Sequence, residues 1–354
     1  MKILISGIGG PTPLGIAKSL RLKYKPSEIT LIGLDGSKLA PGLYNKELFD
    51  KTYLVPHSHD ATYWSAIDEI VAKEGIDHAF IIPETEVLVW SKRQKERGLP
   101  CSALIAQSDV ADAFYDKYKT FDLLKDTDMV PRSIKLDANT DLDNIGKELG
   151  YPYWIRGGSG AGAIGAYKIE ELKDIKNWMN INPRIDDFLA SVFLPGRNYA
   201  CKMLFIGDKL VRSACGERID YLMSNAAPSG ISGMCARGRL LNNRELVEKS
   251  EVAIRQVFKH FNLPAHGMFT VDFKEDKDGE AKITEVNIRH VSFSHAFSLG
   301  GANFAADTLE ALSSNSFDKE YKMYEFDDEY TFIRGVDSAL FLIKDSDLLK
   351  PFVQ

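Results

Sequence analysis

Over the first hundred positions, short apolar runs alternate with segments patterned as helices. "KILISGI", "ITLIGLD" and "HAFIIPE" have the length of strands, and "LGIAKSLRLKY" and "YWSAIDEIVAKEG" between them read as helices. Apolar strands separated by helices at this interval predict a parallel sheet covered by helices. "SALIAQ" supplies a last strand to it.

Beyond Asp109 the order changes. "DVADAFYDKYKTFDLLKDT" reads as one helical run, followed by "MVPRS" and a second helix, "DLDNIGKELG". Next come a strand "YPYWIRGG", a glycine-rich loop "SGAGAIGA" and a helix "IEELKDIKNWMN". Strands then dominate: "DDFLASVFL", "NYACKMLFIG" and "KLVRSACGERI", with a helix "RELVEKSEVAIRQVFKHF" after them. "GMFTVDFKE" and "EAKITEVNIRH" flank the turn "DKDG" and predict a hairpin. "ANFAADTLEALSS" is a helix, and "YTFIRGVDSALFLI" supplies late strands. The chain contains no repeat and no low-complexity segment.

Composition narrows the class without naming a function. A chain of 354 residues, 44% hydrophobic and 27% charged, is an ordinary globular protein of one large or two to three modest domains. Its net charge of −6 argues against nucleic acid as the main partner, and an anionic ligand would need a local basic site or a metal. Cys101, Cys201, Cys215 and Cys235 form no zinc spacing and are expected as free thiols in a reducing compartment. The apolar run in "MKILISGIGG" is too short for a signal peptide, and no later stretch could span a membrane. The expected location is cytoplasmic.

Three glycine or acidic motifs are decoys. "GIGGPTPLG" lies between a strand and a helix, but Pro11 and Pro13 break the dinucleotide fingerprint even though Asp35 ends the next strand. Gly10, Gly15, Lys18 and Ser19 imitate a phosphate loop, yet about 200° of helix rotation between Gly15 and Lys18 aims that lysine elsewhere. Asp276, Asp278, Gly279 and Glu285 imitate a calcium loop, but Lys274 holds its first position and strands flank it.

The chemistry concentrates in "ITEVNIRH". Glu285, Asn287 and Arg289 are two apart, so a strand places them on one face, with Val286 and Ile288 on the other. The hairpin turn brings Asp272 opposite the region of Glu285. Aspartate, glutamate and asparagine together offer hard oxygen ligands, the set magnesium prefers when phosphates fill its other positions. The glycine-rich stretch Gly157 to Gly165, with Ser159, Gly160 and Gly162 inside it, could fold over phosphates with its backbone N–H groups. Lys117 and Arg156 would supply positive charge to the same phosphates.

Taken in order, these motifs resemble the ATP-grasp superfamily, in the branch related to the carbamoyl-phosphate synthase large subunit and the carboxylate–amine ligases. The resemblance covers roughly residues 1 to 312. "FYDKYKTFDLLKDTDMVPRS" resembles the family's Asp-Lys helix, "YPYWIRGGSGAGAIGA" its phosphate-binding hairpin, and "FLPGRNY" the linker that holds adenine. "VDF" with "TEVNIRH" resembles the metal-binding pair, and "SLGGANFAADTL" the segment that closes the active site. The implied fold is mixed α/β, an ATP-grasp fold preceded by a Rossmann-like αβ domain. The implied division is 1–107 for that leading domain, 108–182 for the small subdomain with the glycine loop, and 183–354 for the subdomain with the metal site.

The resemblance also implies roles. Lys117 and Arg156, with Ser159, Gly160 and Gly162, would bind ATP phosphates; Val192, Phe193 and Leu194 would face adenine, and Asn198 the ribose. Asp272, Glu285 and Asn287 would hold two magnesium ions, with manganese able to substitute, and Arg289 would stabilise the transferring phosphoryl group. Glu84 and Glu86 in "PETEV" would lie near the acceptor cleft, and Arg218, Arg237 and Arg239 are candidates for holding an acceptor carboxylate. Three positions depart from the family: Arg156 stands where many members have lysine, Asn198 where many have a ribose-gripping glutamate, and Ile288 where proline is usual. The expected enzyme is an ADP-forming ligase that phosphorylates a carboxylate and lets an amine attack the acyl phosphate. A carbamoyl-phosphate synthase-like enzyme acting on bicarbonate or carbamate is the alternative, but it would need a second unit and an ammonia source. The expected partners are a small-molecule carboxylate and an amine, with no nucleic acid, no membrane, and room for a homodimer.

Overall fold

The computed structural model describes residues 1–137, 139–160, 162–314, 317–327, 329–335 and 348–352. The apolar runs of the first hundred residues form a five-stranded parallel sheet. Its elements are β1 (Lys2–Ser6), α1 (Pro11–Lys23), β2 (Thr30–Asp35), β3 (Lys51–Leu54), α2 (Tyr63–Glu74), β4 (His78–Phe80), α3 (Glu84–Arg97) and β5 (Ser102–Ala103). The strand order is β3-β2-β1-β4-β5. The turn from β1 into α1 requires glycine: Gly7 has φ +67°, and a Cβ there would meet Pro83 Cγ at 2.4 Å. The glycine motif is therefore a tight strand-to-helix turn.

The single helix expected from Asp109 is two. α4 (Ser108–Tyr115) ends where α5 (Lys117–Leu124) begins, and Asp116 between them has extended φ/ψ. An aspartate with extended φ/ψ caps the next helix well, and its carboxylate accepts from Lys119 N at 3.1 Å. Asp116 also bridges to Ser159, which ties the break to the glycine loop.

A small antiparallel sheet follows, built from β6 (Ser133–Leu136), α6 (Leu142–Leu149), β7 (Tyr153–Gly157), β8 (Tyr167–Ile169), α7 (Leu172–Ile181) and β9 (Phe188–Val192). Its order is β6-β9-β7-β8, around a core that includes Tyr153, Ile155, Phe188 and Ile175. β9 lies beyond the expected division at 182, yet it pairs with both β6 and β7.

The rest is a large sheet with helices on it: β10 (Asn198–Ile206), β11 (Lys209–Tyr221), β12 (Cys235–Leu241), α8 (Arg244–His260), β13 (Gly267–Glu275), β14 (Ala281–Asn287), α9 (Ser294–Leu299), α10 (Phe304–Ser313), β15 (Lys322–Met323) and β16 (Thr331–Ile333). The order is β14-β13-β10-β11-β12-β16, with β15 alongside β11. Of the late strands expected after residue 329, β16 is present; 336–343 lie outside the described residues. Ala305 and Leu309 of α10 join the core of the first sheet, so the end of this unit packs back on the beginning of the chain.

One aromatic cluster fastens α4 and α8 to the large sheet. The fully buried Phe269 of β13 meets Phe114 of α4, Phe205 of β10 and Phe258 of α8, with ring centroids 5.7, 6.1 and 5.7 Å away. Removing a buried ring costs its transfer free energy and leaves a cavity, together about 3–5 kcal/mol. Phe269→Ala is expected to lose that much in urea unfolding, and a loss below about 1 kcal/mol would mean that the cluster does not join these elements.

Candidate active site

The site starts from a register irregularity. β13 and β14 pair Val271 with Val286 and Asp272 with Glu285, then skip, so that Phe273 faces Ile283. Thr284 is the extra residue of this bulge. Its carbonyl accepts from Arg156 Nη2, and its hydroxyl donates to Asp272 O at 3.2 Å. The bulge thus fastens the small sheet's arginine to the strand that carries Glu285. Val286 and Ile288 are buried in the core, as the alternation requires. β14 ends at Asn287, and Arg289 lies past the strand end but lines the same cavity.

That cavity, of about 240 Å³, is lined by every residue the sequence nominated for nucleotide, metal or phosphoryl contact: Lys117, Arg156, Ser159, Gly160, Gly162, Val192, Phe193, Leu194, Asn198, Asp272, Glu285, Asn287 and Arg289. Lys117 is not the solvated helix lysine its position suggests. It is 5% exposed, its ammonium donates to Gly160 O, and it stands 3.9 Å from Glu285. Its backbone N–H donates to Gly158 O at 2.9 Å. Gly160 and Gly162 both have φ +82°, which lets the loop turn back over the site.

At the other end, Trp154, Val192, Phe193, Leu194 and Phe273 make an apolar wall suited to a flat base. Asn198 opens β10 there, and Lys274 Nζ donates to its Oδ1 at 3.4 Å. Of the arginines suggested for an acceptor, Arg218 reaches the cavity. Arg237 and Arg239 lie outside the lining, paired with Asp220 at 2.7 Å and Glu217 at 2.9 Å.

Electrostatics explain why these groups converge. Asp272 is 8% exposed; Oδ1 accepts from Arg218 at 2.6 Å and Oδ2 from Asn287 Nδ2 at 3.2 Å. Burial pushes its carboxyl above the usual range, Arg218 opposes the rise, and Glu285 adds to it. Burial likewise raises Glu84, whose Oε1 pairs with Arg289 Nη2 at 3.4 Å, and lowers both Lys117 and Arg156. The lining holds five cations (Lys117, Arg156, Arg218, Lys274, Arg289) against two carboxylates (Asp272, Glu285), so it calls for a polyanion. The Nε atoms of Arg156 and Arg289 are buried without a partner. Sequence reasoning missed Lys274, Trp154 and Thr12 of this lining, because each comes from an element whose pattern reports only its own burial.

The donors fit magnesium. Asp272, Glu285 and Asn287 present oxygens from one pair of strands, and two adjacent carboxylates repel each other until a cation separates them. Among the described residues no three or more His, Cys, Asp or Glu side chains are grouped to hold an ion alone. The remaining ligands would therefore come from phosphate oxygens.

This arrangement, a helix-covered parallel sheet leading into a small and a large antiparallel sheet, is the ATP-grasp fold. No protein-family model matches the chain. It is similar to the D-alanine–D-alanine ligase of Nitrosospira multiformis, 27% identical over 212 residues, which are 56% of this chain and 64% of that protein. The chain thus spans less than two thirds of that curated relative. Among solved structures it resembles the Staphylococcus aureus N5-carboxyaminoimidazole synthetase complexed with ADP, with TM-score 0.69, 14% identity, and 94% of this chain and 81% of that one covered. It also resembles the Bacillus licheniformis L-amino acid ligase, with TM-score 0.64, 16% identity, and 88% and 74% covered. No helix among the described residues is long and apolar enough to cross a membrane.

Charge-assisted contacts to phosphate contribute about 1.5–3 kcal/mol each, so Lys117→Met or Arg156→Met is expected to weaken ATP binding about ten- to a hundredfold by calorimetry. Unchanged affinity would remove that residue from the site. Beside Asp272, Lys202 is 0% exposed and donates to Ser294 Oγ at 2.8 Å. Burial pulls its ammonium down to about 7, with Asp272 opposing. Between about pH 7 and the unfolded value near 10.4 the unfolded chain binds more protons, so this group makes stability rise with pH, by at most about 1.4 kcal/mol per unit. Lys202→Met should flatten that rise in denaturant titrations from about pH 7 to about pH 9. Parallel curves for the two proteins would show that Lys202 is charged throughout.

Proposed function

We propose that the chain is an ATP-dependent, ADP-forming carboxylate–amine ligase working through an acyl phosphate. The observation that carries this reading is the direct pairing of Asp272 with Glu285 across one hairpin, in a cavity that also holds Asn287, Arg289, Lys117 and Arg156. ATP binding alone does not require a buried aspartate paired with a glutamate beside a guanidinium with an unpartnered Nε. Phosphoryl transfer to a carboxylate does, because charge must be neutralised on both the donor and the acceptor.

The shared lining supports these roles. Val192, Phe193 and Leu194 would hold the base, and Asn198 would meet the ribose. Ser159, Gly160 and Gly162 would close over the phosphates, and Lys117 and Arg156 would neutralise them. Asp272, Glu285 and Asn287 would hold magnesium, two ions as the resemblance implies, with manganese able to substitute. Magnesium, when bound, screens the phosphate charge that otherwise repels an attacking carboxylate. Arg289, at the strand end beside Glu84, is placed for the transferring group and for the acyl phosphate. The ADP bound to the Staphylococcus aureus neighbour, and the magnesium ADP with bicarbonate on the Hydrogenobacter thermophilus carboxylase domain, support the nucleotide and the metal.

Turnover of ATP is expected to need magnesium or manganese and to fall at least about a hundredfold in Glu285→Gln with the fold intact. Full activity in chelator, or in that variant, would end the metal reading. An acyl phosphate also requires ADP and phosphate to form together, and hydroxylamine to trap a hydroxamate. Mass spectrometry that finds AMP and pyrophosphate instead would remove the mechanism.

A further inference from the structure

Asn198 stands where many members of the resembled family carry a ribose-gripping glutamate, and the structure sets a lysine directly opposite it. Asn198 opens β10, and its partner in the register is Lys274, near the end of β13. Both side chains are half-buried and line the nucleotide cavity. Lys274 lies two residues past Asp272 on the same strand, so one face of β13 carries a carboxylate and then an ammonium.

The neighbouring carboxylate is occupied elsewhere. Glu275 accepts from Arg197 N–H at 3.0 Å, from Arg197 Nη2 at 2.8 Å and from Tyr199 OH at 2.6 Å. Lys274 Nζ instead donates to two neutral oxygens, Gly196 O at 2.9 Å and Asn198 Oδ1 at 3.4 Å. An ammonium has three N–H groups and no acceptor, so one N–H is left for a ligand. The amide of Asn198 has one acceptor oxygen, and Lys274 already uses it; the Nδ2 donors are what remain. A glutamate at position 198 would present acceptors to a sugar. The pair found here presents donors, one of them charged.

A ribose hydroxyl can either donate or accept. From these observations we propose that Lys274 determines specificity at the ribose: Lys274 and Asn198 donate to a ribose hydroxyl oxygen, the reverse of the bond a glutamate would make. The inference rests on the ligase reading for the nucleotide itself, and it names the sugars the site takes. They are those that keep an oxygen at the contacted carbon, whether or not that oxygen bears a hydrogen.

Calorimetry in magnesium tests this on the wild type and on Lys274→Met, with ADP, 2′-deoxy-ADP, 3′-deoxy-ADP, 2′-O-methyl-ADP and 3′-O-methyl-ADP. Methylation keeps the oxygen and removes its hydrogen, whereas a deoxy sugar lacks the oxygen. Comparing the two proteins on one ligand at a time cancels any crowding by the methyl group. Lys274→Met is expected to weaken ADP, and the O-methyl compound at the contacted position, about tenfold, and to change the matching deoxy compound by less than about twofold. Lys274→Gln should show the same pattern at reduced size, and it serves if the Met variant does not fold. An equal loss for every ligand would mean that Lys274 only braces the chain at Gly196. An O-methyl compound indifferent to both variants, or failure of both O-methyl compounds to bind the wild type, would mean that the hydroxyl is read as a donor. Any of these results overturns the inference. The expected pattern in a protein that makes no ADP from ATP would sink the ligase reading and leave the ribose contact standing. Ligation by a protein whose variants lose every ligand equally would do the reverse.

Discussion

Two carboxylates placed directly across one pair of strands, Asp272 and Glu285, are the constraint on which the rest of the site depends. Burial makes the charge of Asp272 expensive, and Arg218 at 2.6 Å offsets that cost, while Lys117 stands 3.9 Å from the half-exposed Glu285. Each cation comes from a different element, so satisfying the carboxylates fixes how β11 and α5 meet the hairpin. The bulge at Thr284 adds Arg156 from the small sheet. Arg289 carries the same linkage into the first sheet through Glu84. The three sheets are therefore joined at the site by ion pairs and by the Arg156 hydrogen bond, while the aromatic cluster around Phe269 fastens α4 and α8 to the large sheet.

The parts of this structure that repeat a simple period could be read from the chain. The apolar runs of β1, β2 and β4 report burial directly, and the nominated site residues share one cavity although Arg289 lies past the end of β14. What could not be read has physical reasons. β3 is four residues long and mostly half-exposed, and α3 carries the charged stretch "SKRQKER" that hides its few buried positions. β12, "CARGRLL", lacks the apolar run by which its neighbours were found. The break at Asp116 depends on a bridge to Ser159, a partner 43 positions away that local periodicity cannot register. The burial of Lys117 has the same cause, since the glycine loop that covers it is remote in sequence.

If Asp272, Glu285 and Asn287 form a metal site completed by nucleotide phosphates, manganese binding must depend on the nucleotide. Manganese titration followed by electron paramagnetic resonance, with and without ADP, measures this. Weak manganese binding to the protein alone is expected, with tight binding once ADP is present and loss of the tight binding in Glu285→Gln. Tight manganese binding without nucleotide, or binding with ADP that is indifferent to Glu285→Gln, would contradict it.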